Sequence, residues 1–356
     1  MEAGEGGLFI YCQSAFGVGH FVRMHRLIHA LQRECPSLPI TLCRGGRPSA
    51  FLSLPSGVRS VELEPLIYAN VKGGLSAPDG SDPDPVLRRR AASLIEHLVR
   101  LRPRAVLLEH FPFGRWAFRD EIIPLLEACR LVTPRPLVWS SVREIPILSD
   151  GAYRRLSSVA RRFDCIFVHS DPGVLPLDLN RPTPIEVASR VEYTGFVSPG
   201  DDEGSLRREG SVLVHAGGGQ DGKAFWEAFH EFRLHMATVQ FKSCGENPHE
   251  MVDHRSMSRL LRSAWRSISM AGYNTVAEWL AFRTPTIFVP RRSDAEQCTR
   301  VLRIQERVGG PMMISAATPA ALRAAWDGLR DDQPYRTEVW IKGQEHFAKV
   351  VHRHLQ

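Results

Sequence analysis

The chain predicts an α/β fold built from two successive Rossmann-like arrays, and three observations carry that expectation. Short apolar runs of strand length recur, each bounded by glycine, proline or polar turns. Segments with helical apolar spacing separate them, so strand and helix alternate. After a polar stretch, Ser198-Pro-Gly-Asp-Asp-Glu-Gly204, the alternation starts again. With 356 residues the chain is long enough for more than one core. The predicted division is a Rossmann-like domain over 1–197, a second over 205–335, and a last helix within 336–356 packing back on the first half. Two such arrays are expected to face each other across a cleft.

The first array begins with Leu8–Cys12, a buried-strand run, and Phe21, Met24, Leu27, Ile28 and Leu31 follow at helical spacing. The loop between them contains Gly17-Val-Gly-His20. It lacks the third glycine of a dinucleotide fingerprint and the Gly-Lys-Ser/Thr of a P-loop. Pro39–Cys43 predicts a strand, 65–85 a long loop, Val86–Leu101 a helix and Ala105–His110 a buried strand. Glu109-His110-Phe-Pro-Phe-Gly114 falls at the C-terminal end of that strand, where α/β sheets carry ligand loops. A helix over Ala117–Cys129, a strand Pro136–Ser141 running into Arg143-Glu144, a helix Tyr153–Phe163 and a strand Cys165–Ser170 continue the pattern, and Val191–Gly195 closes it.

In the second array Ser211–Ala216 is a strand running into Gly217-Gly-Gly219, with a helix over Gly222–His235, a strand Ala237–Lys242 and a helix Ser256–Ala264. Ser267–Met270 reads as a strand, Ala271-Gly272 as a turn, and Asn274-Thr275 as a helix start, since both are capping residue types. A strand Thr286–Pro290, a helix from Asp294, an extended Met312–Ser315 and helices over Thr318–Leu329 and Thr337–His354 complete the chain. A helix start after a strand offers free N–H groups and a positive dipole end, which suits a diphosphate. Glu278, one turn inside that helix, is placed to accept from a pair of sugar hydroxyls.

The formal charge is +6, carried by scattered arginines such as Arg88-Arg89-Arg90 and Arg161-Arg162, which read as solvated helix faces. That spread is too diffuse for nucleic acid, and it suits anionic ligands or a peripheral membrane contact. The seven cysteines form no Cys-x-x-Cys pair, and the N-terminus reads as no secretory signal, so reduced thiols in a cytoplasm are expected. No apolar run reaches the length of a membrane span.

With these residues in view the chain resembles GT-B glycosyltransferases, above all the MurG-type family 28 enzymes and related bacterial glycosyltransferases. Gly17-Val-Gly-His-Phe-Val-Arg23 is similar to the Gly-x-Gly-His-x-x-Arg loop of that group. Ser269-Met-Ala-Gly-Tyr-Asn-Thr-Val-Ala-Glu278, then Pro285-Thr-Ile-Phe-Val-Pro290 and Glu296-Gln297, resemble its donor-binding signature. The resemblance implies a nucleotide-diphosphate sugar, UDP-linked by preference, held mainly by the second domain. It carries the donor contacts onto Gly217, Gly218, Gly219, Ser269, Gly272, Tyr273, Asn274, Thr275, Glu278, Glu296 and Gln297; Arg291 is a candidate to neutralise phosphate by its charge, with a surface arginine as the competing reading. Cys298 stands where MurG-type enzymes tend to have a second glutamine, and Arg291-Arg292 replace a less charged loop.

Sugar transfer needs a base for the acceptor hydroxyl and positive charge for the leaving diphosphate. His20 is the favoured base, with a packing histidine as the competing reading, and Glu109 with His110 is the alternative base pair. Gly17, Gly19, Arg23 and Arg143 are the candidate acceptor contacts. Asp82-Pro-Asp84 imitates an Asp-x-Asp metal motif but lies in a proline-rich loop, and His249, Asp253 and His254 make no closed ligand set, so neither a metal nor another cofactor is expected. The expected activity is hexosyl or N-acetylhexosaminyl transfer, inverting and metal-independent. A nucleotide-sugar hydrolase or epimerase of related fold, and a non-catalytic nucleotide-sugar binder, are the competing readings.

Overall fold

The computed structural model describes residues 6–14, 19–46, 53–68, 74–146, 148–199, 208–216, 222–244, 254–291, 295–332 and 335–356. The chain forms two compact units, one of Met1–His169, Leu177–Thr194 and Gln344–Gln356, the other of Ser170–Pro176 and Gly195–Gly343.

The first unit opens with β1 (Leu8–Ser14), α1 (Gly19–Glu34), β2 (Ile40–Gly46), β3 (Val58–Glu62) and a small hairpin of β4 (Ile67–Tyr68) and β5 (Leu75–Ser76). It continues through α2 (Asp84–Leu101), β6 (Ala105–Glu109), α3 (Arg119–Leu131), β7 (Leu137–Arg143), α4 (Asp150–Ala160), β8 (Cys165–His169), α5 (Ile185–Ala188) and β9 (Val191–Tyr193). Seven strands form one parallel sheet in the order β3-β2-β1-β6-β7-β8-β9. Leu8 through Cys12 are all buried, as in a strand covered on both faces. Tyr11 pairs with Leu108 across the β1–β6 join. Strand order reverses there, and the loops after these two strands share one edge of the sheet.

Arg90 corrects the reading of the Arg88-Arg89-Arg90 cluster as a solvated face. It is 2% exposed and makes a forked contact with Glu121, at 2.7 and 2.9 Å. The same guanidinium donates to Gln13 Oε1 at 2.6 Å and to the Glu64 carbonyl at 2.7 Å, and Tyr11 donates to Glu121. Gly45 lines this network, because a Cβ there would lie 2.3 Å from Gln13 Oε1. Arg89, one position earlier, pairs with Glu64 at the exposed surface.

The second unit contains β10 (Glu209–His215), α6 (Lys223–Leu234), β11 (Gln240–Cys244), α7 (His254–Ser263), β12 (Ala264–Ser269), α8 (Tyr273–Phe282), β13 (Thr286–Phe288), α9 (Ala295–Arg307), β14 (Met312–Met313) and α10 (Pro319–Gly328). Its parallel sheet runs β11-β10-β12-β13-β14, so strand order reverses between β10 and β12. Val212, Val214, Phe229 and Ile268 are among its buried core.

A final helix, α11 (Gly343–His354), packs its residues from 344 onward within the first unit. Phe347 sits edge-on to Phe167 at 4.9 Å, and His352 Nδ1 lies 2.9 Å from the Cys35 thiol. The helix begins later than the predicted Thr337. Trp340–Lys342 are used instead as extended chain: Phe196 N–H donates to the Trp340 carbonyl at 2.6 Å, and Val197 bridges Lys342. Gly195 is required at this contact, since its φ is +90° and a Cβ would meet the Trp340 carbonyl at 2.8 Å. No helix among the described residues is long and apolar enough to cross a membrane.

Candidate active site

In the first unit the β1–β6 switch brings together residues 89 positions apart: His20 in the first turn of α1 and Glu109 at the end of β6. His20 Nδ1 is 2.6 Å from Glu109 Oε1. Arg23, one turn further along α1 and buried, donates to the same oxygen. Arg115 Nε lies 3.5 Å from the other oxygen, Oε2. His110 follows with its ring 5.7 Å from that of His20, centroid to centroid. Arg143, at the end of β7, is close enough to act electrostatically on both imidazoles.

The loop from His110 to Arg115 is held in an unusual shape. Both end residues adopt left-handed φ, 65° and 62°, without being glycine, a conformation that concentrates at functional sites. Gly114 clears the space that His110 occupies, because a Cβ there would lie 2.5 Å from His110 Cδ2. The His110 Nδ1 is buried and makes no hydrogen bond.

The electrostatics divide the charges cleanly. Burial resists ionisation of Glu109, but His20, Arg23 and Arg115 outweigh it and hold the carboxyl well below its ordinary range. Burial, then the Arg115 charge, push His20 down to about 3 against the pull of Glu109. Burial and then Arg143 hold His110 well below its ordinary value. At neutral pH the arrangement is therefore a carboxylate beside neutral imidazoles. A neutral His20 next to a carboxylate carries its proton on Nδ1 and leaves the Nε2 lone pair available. In the same unit, Phe113, Leu148, Leu177 and Pro184, with Tyr153 and Leu156 of α4, line a shallow, largely apolar depression.

In the second unit the β10–β12 switch is followed by the start of α8. The helix begins at Tyr273, one residue before the expected Asn274, with Gly272 as N-cap and no side chain capping it. Gly272 has φ −64° and ψ 153°, so unusual backbone angles are not its reason. Among the described residues a Cβ there would approach nothing closer than Thr275 Oγ1 at 3.9 Å, so these residues leave room above the open helix start. Ser269, at the end of β12, has a buried hydroxyl without a hydrogen bond.

Other predicted donor residues brace this turn. Glu278 is buried and accepts from Ser258 Oγ at 3.0 Å. Tyr273 Oη accepts from the Val197 N–H at 3.0 Å. Gln297 Oε1 accepts from the Arg291 N–H at 3.2 Å. Glu296 pairs with Arg300, which also donates to the Ala271 carbonyl at 2.8 Å. Asn274 and Thr275 occupy the first turn of α8, and Gly19 begins α1. Gly17, Gly217, Gly218 and Gly219 lie outside the described residues. Sequence reasoning missed Arg115 and Arg300; neither stands in a recognisable motif.

A β1/β6 switch in one unit and a β10/β12 switch in the other are the architecture of the GT-B fold. Residues 225–353 match the family model described as the glycosyltransferase family 28 C-terminal domain. The chain thus has the GT-B fold, and its 225–353 segment resembles the C-terminal domain of family 28 glycosyltransferases. Among solved structures it is similar to the glycotransferase of kitacinnamycin, with 15% identity, a TM-score of 0.59, and coverage of 99% of this chain and 100% of that one. It is similar to MurG of Acinetobacter baumannii, with 15% identity, a TM-score of 0.57 and coverage of 98% and 99%. It is also similar to S. aureus MnaA, solved with UDP, with 10% identity, a TM-score of 0.58 and coverage of 99% and 96%. No curated protein sequence matches the chain.

Proposed function

We propose that the chain transfers a hexosyl or N-acetylhexosaminyl group from a UDP-linked donor to an acceptor hydroxyl, with inversion and without a metal. The observation that carries this reading is the His20–Glu109 pair at the β1–β6 switch. His20 Nε2 takes the proton of the acceptor hydroxyl while Glu109 holds Nδ1–H and stabilises the developing imidazolium. The acceptor oxygen bonds to the anomeric carbon as the bond to the diphosphate breaks. Glu109 is engaged by His20 and two arginines, so it is not poised to attack the sugar, and a single direct displacement inverts the anomeric centre. The diphosphate takes its place at the start of α8, where Ser269, Gly272, Asn274 and Thr275 present small or polar groups and Arg291 adds positive charge. Glu278 receives the ribose hydroxyls. Arg23 and Arg143 attend the acceptor. MnaA with UDP supports the choice of nucleotide, since it is similar in fold.

The test is incubation with UDP-, dTDP- and GDP-sugars and a panel of hydroxyl acceptors, reading nucleoside diphosphate release and product anomer by NMR. Acceptor-dependent release from a UDP-sugar with an inverted product is expected. Release into water alone, or binding without turnover for any acceptor, overturns it in favour of a hydrolase or a binder.

A further inference from the structure

We infer that Arg115 is the positioning residue of the candidate base, setting the orientation of His20 through the Glu109 carboxylate that the two share. The inference rests on His20 being the base, but its geometry stands independently. Both hydrogen bonds to Glu109 fall on one oxygen: His20 and Arg23 use Oε1. Oε2 accepts no hydrogen bond, and the Arg115 guanidinium faces it, with Nε 3.5 Å away. Two cations on opposite oxygens fix the carboxylate plane, and that plane decides where the Nδ1–H of His20 points.

Packing alone does not account for Arg115. Its side chain is only 11% exposed, yet its Nε and Nη2 are buried and make no hydrogen bond. A buried donor left without a partner is unfavourable, so the guanidinium contributes chiefly as a fixed charge. The backbone is also set against it, since φ at Arg115 is 62°, a region glycine occupies far more readily. The chain thus holds an arginine where a glycine suits the backbone better, and the side chain reaches the site rather than solvent. His20 faces five charged or titratable groups: Glu109, Arg115 and Arg143, with His110 and Arg23 beside them. Of the arginines, Arg115 acts most strongly on His20, ahead of Arg143, and its charge disfavours a second proton on the ring.

The test is nitrogen-edited NMR of the imidazoles in the full-length protein, with the His20 signals assigned from a His20→Gln control. Native protein should show one neutral His20 tautomer, protonated on Nδ1, across pH 5–8. Arg115→Gly relieves the left-handed backbone while deleting the charge, so its melting temperature should hold or rise. In that variant His20 should gain about ten-fold or more in proton affinity, or populate both tautomers, since one pKa unit is a ten-fold change. Arg115→Lys keeps the charge and should stay near native. A folded Arg115→Gly protein with the native His20 tautomer and titration overturns the inference. So does an Arg115→Lys protein displaced as far as Arg115→Gly. These readings need no substrate, so they separate from the base assignment, which fails if His20→Ala keeps normal turnover.

Discussion

Gly272→Ala separates a ligand role from a structural one. The angles at Gly272, φ −64° and ψ 153°, are ones alanine adopts without strain, and among the described residues the new methyl meets only Thr275 Oγ1 at 3.9 Å. Two effects on the fold then nearly offset. Replacing glycine stiffens the unfolded chain and contributes about 0.4–1 kcal/mol. Alanine is a poorer N-cap than glycine and costs about the same. The melting temperature should therefore move by no more than about 2–4 °C, the shift expected from 1 kcal/mol in a domain of this size. A diphosphate seated on the α8 start meets the methyl directly. Losing one N–H contact to a charged oxygen costs about 1.5–3 kcal/mol, which at 1.4 kcal/mol per decade is about ten- to hundred-fold in Kd. Calorimetric titration with UDP, beside a melting curve of the same sample, reads both quantities. Native UDP affinity in a folded Gly272→Ala protein refutes the placement of the diphosphate at α8.

Glu278→Gln should weaken UDP binding by up to about 1.5–3 kcal/mol while leaving the melt close to native, because glutamine still accepts from Ser258; equal affinity in calorimetry removes Glu278 from the ribose. His20→Ala should keep donor affinity and lower turnover by about 10²–10⁴-fold; a stable variant with normal turnover moves the base to Glu109 or His110. Turnover should persist in excess chelator, and loss restored by magnesium or manganese contradicts the metal-free displacement. His20 is held down to about 3 and His215 to about 4, both by burial first. Their contribution to stability is therefore complete above the unfolded value of about 6.5 and is lost as pH falls toward 3–4. Urea melts between pH 7 and 4.5 should lose up to about 1.4 kcal/mol per pH unit for each of the two histidines, and His215→Asn should shallow the slope; a pH-independent midpoint argues against buried neutral rings.

Much of the sheet was legible because its strands are apolar on both faces and end in polar loops. Leu8–Cys12 and Ala105–Glu109 announce themselves by composition, and Rossmann-like alternation places their C-terminal ends on one edge. That is why His20 and Glu109 were both singled out, though their pairing is a tertiary fact. Arg90 was misread because burial of a charge depends on partners from elsewhere. Glu64, Glu121 and Gln13 converge on it from 26, 31 and 77 positions away, and no local pattern encodes that convergence. Arg115 escaped notice for a related reason: its reach comes from a left-handed backbone that the sequence around it does not signal. The last helix was extended too far because Trp340 and Ile341 supply apolar periodicity, while their backbone pairs with the 196–197 segment instead.

The β1–β6 join also bears on how the chain is made. The run Leu8–Cys12 of β1 is buried throughout, and its central neighbour β6 lies about a hundred residues downstream. At ribosomal rates of about 5–20 residues per second, β6 follows β1 by roughly 5–20 s. Until then one edge of a greasy strand is bare, which is a natural binding place for a chaperone during synthesis. The His20–Glu109 pair comes into being only when that gap closes, so it doubles as a mark that the nascent first unit has found its register.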